Sequence, residues 1–351
     1  FGVSPVELAQ TQRLLLAKRL LTDTALPITE IAFASGFSSL RRFNALFQER
    51  YRMNPSTLRK GQAAEVPPQT LECELAYRPP LDWDTMLGFL GARATRGVES
   101  VEGQRYLRTA SFGRARGWLV VEPSRRRHTL RVTLSASLAP AIRPTLACVK
   151  RLFDLAASPD AIAARLGSIV KQPGLRVPGA WDGFEMAVRA VLGQQVSVRA
   201  ATMLSGRFAA ALGEPIETPF DSLTHLSPSA EHVAAATVEE VIALGIITSR
   251  ARAIVMLAQA VAEGQLALEP GVHVPATLEQ LQALPGIGTW TEQIIAMRAL
   301  AWPDAFPHTD LGIRKALGEP DAKRVLERAE AWRPWRAYAA IHLWHSLEGS
   351  S

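Results

Sequence analysis

The strongest constraint on this chain is a seven-residue string, Leu284-Pro285-Gly286-Ile287-Gly288-Thr289-Trp290, set between two stretches of helical pattern. Gln282 and the residues before it read as one helix and Thr289 to Leu300 as the next, so the string is predicted to be a tight turn between helices. Glycines at 286 and 288 permit backbone φ values that a Cβ opposes. They also leave amide N–H groups uncovered at the N-terminus of the second helix, where the helix dipole reinforces them. Such a turn accepts an anion, and a phosphodiester fits it without any base being read. Asp310 stands 22 residues after Gly288, at the end of the loop Trp302-Pro303-Asp304-Ala305-Phe306-Pro307-His308-Thr309-Asp310.

A length of 351 residues suggests two or three domains, and 48% hydrophobic with 21% charged residues lets each bury a core. No apolar run reaches 18 residues and no signal-peptide pattern opens the chain, so it is expected to be soluble and cytosolic, without a membrane partner. Cys73 and Cys148 are the only cysteines, too few for a four-cysteine zinc or iron–sulfur site. The charge is unevenly placed. Residues 1–62 hold nine Lys/Arg against four Asp/Glu, whereas 63–351 hold 30 against 29. The basic opening segment therefore reads as a polyanion contact.

Residues 7–21 read as a helix with Leu8, Leu15 and other leucines on its apolar side, and Pro27 precedes a second helix, Ile28 to Ala34. After the turn Ala34-Ser35-Gly36-Phe37-Ser38, Ser38 is the expected N-cap of a third helix running to about Arg50. Leu40, Phe43 and Phe47 form its inward stripe, leaving Arg41, Arg42 and Asn44 outward. This is a helix-turn-helix plan with an exposed helix suited to a major groove, where Arg41 and Arg42 would contact DNA. Residues 61–70 read as a linker. Alternation at Leu71, Cys73, Leu75 and Tyr77, and again at Leu130, Val132 and Leu134, predicts strands, with a helix over 82–96 between them. The expected fold is multidomain and mainly α. It has a helix-turn-helix fragment (1–62), a small α+β domain with an antiparallel sheet (70–141) and an all-α module in two lobes (142–351).

The hairpin and its loop resemble the helix-hairpin-helix DNA glycosylases, in the type II branch that acts on 3-methyladenine. The resemblance covers roughly residues 70 to 351 and includes Pro79-Pro80-Leu81-Asp82-Trp83 with Met86-Leu87-Gly88-Phe89-Leu90. It continues through Arg189-Ala190-Val191-Leu192-Gly193-Gln194-Gln195-Val196-Ser197-Val198 to Trp332-Arg333-Pro334-Trp335-Arg336 and His342-Leu343-Trp344. The string from Ile28-Thr29-Glu30-Ile31-Ala32 through Gly36-Phe37 to Arg42-Phe43 and Asn54-Pro55 resembles the second half of an AraC-type DNA-binding domain. The opening Phe1-Gly2-Val3-Ser4-Pro5 resembles the junction after the first half. These resemblances imply a fragment of a longer fusion with an adaptive-response alkylation regulator, whose Cys-rich methyl-accepting module would lie upstream.

What they imply is a monofunctional glycosylase that flips an alkylated purine out of duplex DNA and hydrolyses its N-glycosidic bond, acting as a monomer and leaving an abasic site. Asp310 would be the catalytic carboxylate, stabilising oxocarbenium character and orienting water. An Asp at a helix start is, on spacing alone, more often a cap. Asp304, the nearest competing carboxylate, reads as a loop residue, and His308 as structural. Bifunctional members carry a Lys at the hairpin position held here by Trp290, and no Lys occurs between Lys171 and Lys315, so no lyase activity is expected. Trp290, Trp344 and Phe89 match pocket positions where a cationic base would stack, at roughly 0.5–2 kcal/mol per contact. Trp181 and Trp302 are further candidates. Three positions depart from the family: Ile294 and Leu311 replace pocket aromatics, and Gln195 replaces the apolar wedge that fills the gap in the duplex. Phosphate contacts would come from the Gly286 and Gly288 amides and the Thr289 hydroxyl. No cofactor is expected for catalysis. The family's structural monovalent cation, Na+ or K+, would sit on carbonyls of Gln282, Leu284 and Gly286. Two rival readings are a non-catalytic, damage-binding transcriptional regulator and a bifunctional glycosylase/lyase for oxidised bases.

Overall fold

A computed structural model describes residues 4–23, 26–60 and 69–348. The opening Phe1-Gly2-Val3 and nearly all of the expected linker lie outside the described residues.

The N-terminal segment forms α1 (Pro5–Asp23), α2 (Ile28–Ala34), α3 (Leu40–Tyr51) and α4 (Pro55–Lys60). Leu14, Ala17, Leu20 and Leu21 form the buried face of α1, whereas Leu15, expected there, is 51% exposed. Ser39, not Ser38, caps α3 by accepting from the Arg42 amide at 3.3 Å. Phe43 and Phe47 are fully buried, and a file of tilted rings runs Phe37–Phe43–Phe47–Tyr51. Burial of each Phe contributes roughly 1.5–3 kcal/mol. Arg41, Arg42 and Asn44 stay exposed on the remaining faces.

The second unit is β1 (Thr70–Ala76), α5 (Trp83–Ala92), β2 (Glu99–Glu102), β3 (Arg105–Phe112), β4 (Ala115–Pro123) and β5 (Thr129–Ser135). The strands make one antiparallel sheet in the order β1-β5-β4-β3-β2. Leu71 pairs with Leu134, Cys73 with Val132 and Leu75 with Leu130, so the alternating apolar residues share one buried face. Helix α5 stops at Ala92, short of the expected Arg96. The Arg93 amide turns back to the Leu90 carbonyl, Glu99 takes the Thr95 amide, and Gly97 at φ +87° swings the chain into β2.

Helix α6 (Ile142–Leu152) follows a 3-10 segment, Ala136–Ala141, on which α2 rests. One apolar core runs from Leu14 and Phe43 through Leu71 and Leu134 to Val149 and Trp181. The helix-turn-helix and α6 are thus packed onto the sheet unit. The remaining helices are α7 (Pro159–Leu166), α8 (Gly183–Leu192), α9 (Val198–Leu212), α10 (Ala230–Ala235), α11 (Val238–Ala243) and α12 (Thr248–Ala262). Then come α13 (Val274–Gln282), α14 (Thr289–Arg298), α15 (Leu311–Leu317), α16 (Ala322–Ala329) and α17 (Arg336–Glu348). They surround a second core that includes Ala187, Ile254, Ile295 and Ala340. The two cores are pinned together by the Arg108–Glu185 ion pair at 2.9 Å, with Arg108 2% exposed and its guanidinium over Trp181. No described helix is long and apolar enough to cross a membrane.

Two titrating groups inside this frame have opposite signs. Burial, reinforced by His345, pushes the His342 imidazole down to about 4. The unfolded chain then binds a proton the folded one refuses, so His342 costs stability as pH falls from the ordinary His range toward 4. Burial pushes the Asp154 carboxyl up to about 6 even though it accepts from the Tyr338 hydroxyl at 2.7 Å. Its stabilisation is full below the ordinary Asp range and is lost as pH rises through 6. Melting curves from pH 4 to 7 are expected to show His342→Gln losing less Tm on acidification than the parent. Asp154→Asn should gain on the parent as pH rises through 6.

Candidate active site

The hairpin joins α13 to α14. The Ile287 amide donates to the Leu284 carbonyl at 3.1 Å, and Ile287, 6% exposed, anchors the turn in the core. Gly286 has φ +90°, which a side chain resists. Gly288 does not: at φ −97° and ψ 173° it is ordinary extended backbone at the N-cap of α14, and a Cβ there meets nothing within 4 Å. Sequence alone gave both glycines a conformational reason, but only Gly286 has one. Gly286→Ala, which also presses within 3.0 Å of the Ala253 Cβ, is expected to cost about 1–2 kcal/mol in a melt. Gly288→Ala should stay within about 0.5 kcal/mol of the parent. Its methyl would instead cover the exposed amides, and duplex affinity by fluorescence anisotropy should fall several-fold. Gly286, Gly288 and Thr289 are all solvent-exposed, as a ligand surface requires.

Asp310 is both a cap and the centre of a polar cluster. Its Oδ1 accepts from the Ile313 amide at 3.0 Å, which caps α15, and from Trp344 Nε1 at 2.9 Å. Its Oδ2 accepts from Trp290 Nε1 at 2.8 Å. Helices α14, α15 and α17 therefore each contribute one donor. Three neutral donors hold the half-buried carboxylate in one orientation, and among the described residues it is in no ion pair. Asp304 is a different kind of group. It is buried, with Arg336 Nε at 2.8 Å from Oδ1 and Arg336 Nη2 at 2.9 Å from Oδ2, and Arg333 also reaches it. Asp304 is the loop residue expected from sequence, and a carboxylate so paired is also a strut between that loop and α17.

Asp310, Trp290 and Trp344 line a cavity of about 320 Å³ with Phe89 and Ile294. That lies near the lower end of the roughly 300–1,000 Å³ typical of ligand sites, a size for one heterocycle. Hollows of about 830 and 750 Å³ lie elsewhere and contain neither Asp310 nor the hairpin, so chemistry rather than volume identifies the site. Phe89 comes from α5, so the sheet unit supplies one wall and the helical module the others. Three guanidinium groups, Arg93, Arg189 and Arg298, also line the cavity and were missed by sequence reasoning. Arg93 lies 3.7 Å from the Phe89 ring centroid and Arg298 5.2 Å, so that ring already carries cationic partners. Burial, with Arg93 and Arg189 nearby, lowers the Arg298 guanidinium to about 9, while its N–H groups hold the Pro178 and Gly179 carbonyls.

Leu311 does not wall the cavity as expected. It is the first residue of α15, 76% exposed and outside the lining, because the Asp310 cap turns the helix start toward solvent. Trp181 is buried against Arg108, and Trp302 packs on the helical core; neither lines the cavity. Gln195 is exposed in the α8–α9 loop at φ +52°.

The hairpin, the aspartate one loop beyond it and the cavity between two domains define the class: a helix-hairpin-helix DNA glycosylase with a helix-turn-helix domain attached. Residues 188–333 match the HhH-GPD superfamily of base excision DNA repair proteins, 72–182 the AlkA N-terminal domain and 1–61 a helix-turn-helix domain. The chain is 39% identical over 273 residues to DNA-3-methyladenine glycosylase 2 of Escherichia coli, covering 78% of this chain and 96% of that protein. It is 38% identical to the probable bifunctional transcriptional activator/DNA repair enzyme AlkA of Mycobacterium tuberculosis, over 99% of this chain and 72% of that one. Its fold matches a solved 3-methyladenine DNA glycosylase from Archaeoglobus fulgidus with a TM-score of 0.68 at 20% identity, over 80% of this chain and 99% of that one. The chain belongs to the AlkA family of DNA glycosylases within the HhH-GPD superfamily.

Proposed function

We propose that this protein excises alkylated purines of the 3-methyladenine type from duplex DNA as a monomer, hydrolysing the N-glycosidic bond and leaving an abasic site. The observation that carries the reading is Asp310, oriented by two indoles on the wall of a base-sized cavity one loop away from a phosphate-accepting hairpin. Ring alkylation weakens the glycosidic bond. The developing positive charge on the sugar is then met by a fixed carboxylate, and a water on the same carboxylate completes hydrolysis. Base extrusion costs a few kcal/mol, which Gln195, filling the vacated space, would offset in part. Exposed Arg41 and Arg42 on α3 supply salt-sensitive phosphate affinity that the nearly neutral remainder lacks. Trp290 at the hairpin leaves no amine to form a Schiff base, which makes the reaction monofunctional.

A structural Na+ or K+ at the hairpin would share carbonyls that already accept hydrogen bonds, Leu284 from the Ile287 amide and Gly286 from Gln194 Nε2 at 2.8 Å. Each oxygen keeps a second lone pair, so these and the Gln282 carbonyl suit a weakly held cation that screens a phosphate. Exchange of K+ for tetramethylammonium at constant ionic strength should then lower duplex affinity.

The decisive assay is free-base release from methylated duplex, with borohydride added in parallel. Base release without a trapped protein–DNA adduct is the expected result. A trapped adduct would establish a lyase. Tight binding without release would establish a damage-binding regulator.

A further inference from the structure

Gln194 sits between the two parts of the molecule that would touch DNA. Its side-chain amide donates both N–H groups, to the Gly286 carbonyl at 2.8 Å and to the Thr291 hydroxyl at 2.9 Å. Its own backbone carbonyl accepts from the Arg250 guanidinium of α12, and its amide turns back to the Val191 carbonyl at 3.3 Å. The residue is therefore held at main chain and side chain by α8, α12, the hairpin and α14. Gln195, directly after it, is exposed in the left-handed region at φ +52°, a conformation a side chain adopts only where its surroundings impose it. Four hydrogen bonds of Gln194 fix the chain immediately before that residue. Movement of the hairpin under a bound phosphate would be transmitted through two short hydrogen bonds to the base of the wedge.

We infer that Gln194 is a positioning residue that couples phosphate binding at the hairpin to insertion of Gln195 into the duplex. This rests on the base-extruding glycosylase reading above. The residue lies outside the lining of the Asp310 cavity. Its action is to fix where the wedge stands relative to the phosphate grip, and hence relative to Asp310, whose indole partner Trp290 lies on the same helix as Thr291.

The test uses the full chain and two duplexes with the same methylated purine. In one the lesion is paired. In the other it faces a single-nucleotide gap, so extrusion needs little help. A 2-aminopurine beside the lesion reports unstacking. Gln194→Glu keeps the size of the side chain but removes its donors. It is expected to reduce base release and the fluorescence rise about tenfold to hundredfold on the paired duplex. On the gapped duplex the loss should be under about threefold. Equal loss on both, or no loss, overturns the inference. Should Gln194→Glu fail to fold, Thr291→Val decides: it deletes one of the two acceptors and should give a smaller loss confined to the paired duplex, and a uniform or absent loss overturns the inference. The parent chain separates the two levels. Release from neither duplex removes the glycosylase reading and the coupling with it, whereas release from both with an unselective variant removes the coupling alone.

Discussion

Asp310→Asn is expected to lower base release at least a hundredfold while the protein stays folded. Removal of a preorganised electrostatic group at a charge-developing centre costs about 10² to 10³ in rate. The geometry also sets the price in stability. With its oxygen placed at Oδ1, an Asn still caps Ile313 and accepts from Trp344, but its NH2 then faces the Trp290 N–H, donor against donor. The rotated amide satisfies Trp290 and loses the other two. Either way about 1–3 kcal/mol is lost by leaving partly buried polar groups unmatched. A modest fall in Tm with near-complete loss of single-turnover release, and retained affinity for abasic duplex, is the expected combination. Full activity in this variant would require another carboxylate to act, and Asp304 is locked in ion pairs with Arg336 and Arg333.

Asp304→Ala is the second large effect, and of the opposite character. Arg336 is 6% exposed and its guanidinium bonds both carboxylate oxygens and the main-chain carbonyl of Asp304. Deleting one member of a buried pair strands the other charge, at a cost of about 3–5 kcal/mol. Because Asp304 belongs to the loop that ends at Asp310 and Arg336 opens the helix that carries Trp344, the same deletion loosens both halves of the indole–carboxylate cluster. Denaturant unfolding should show the stability loss, and residual folded enzyme should turn over slowly. Asp304→Ala that unfolds with parental stability would mean that Glu330, which also reaches Arg336 at 3.2 Å, carries the pairing.

Much of this was readable in the chain, for identifiable reasons. Helices and strands follow local periodicity, so α2, α3, the β1 and β5 strands and the hairpin emerge from residue order. The hairpin is legible because its turn chemistry is local, and Asp310 because its spacing from the turn is covalent. Boundaries were less legible. Ser39 rather than Ser38 caps α3, and α5 ends before Arg96, because cap choice depends on which neighbouring side chain a fold buries. Leu311 shows the same limit at the site: its place beside Asp310 in sequence says nothing of the direction in which a cap points it.

What sequence by itself determined, then, is the order of parts: a basic helix-turn-helix, an antiparallel sheet unit, a helical module, and a carboxylate at a fixed distance after a glycine turn. Tertiary structure alone decided how these act on one another. Trp290 and Trp344 are 54 positions apart, yet their indoles meet on the same carboxylate. Gln194 reaches Gly286 across 92 positions, and Phe89 closes a cavity from another domain. Such contacts leave no trace in local pattern. They exist because burying two apolar cores forces distant segments together, and the polar groups carried inward must then find partners wherever packing has put them.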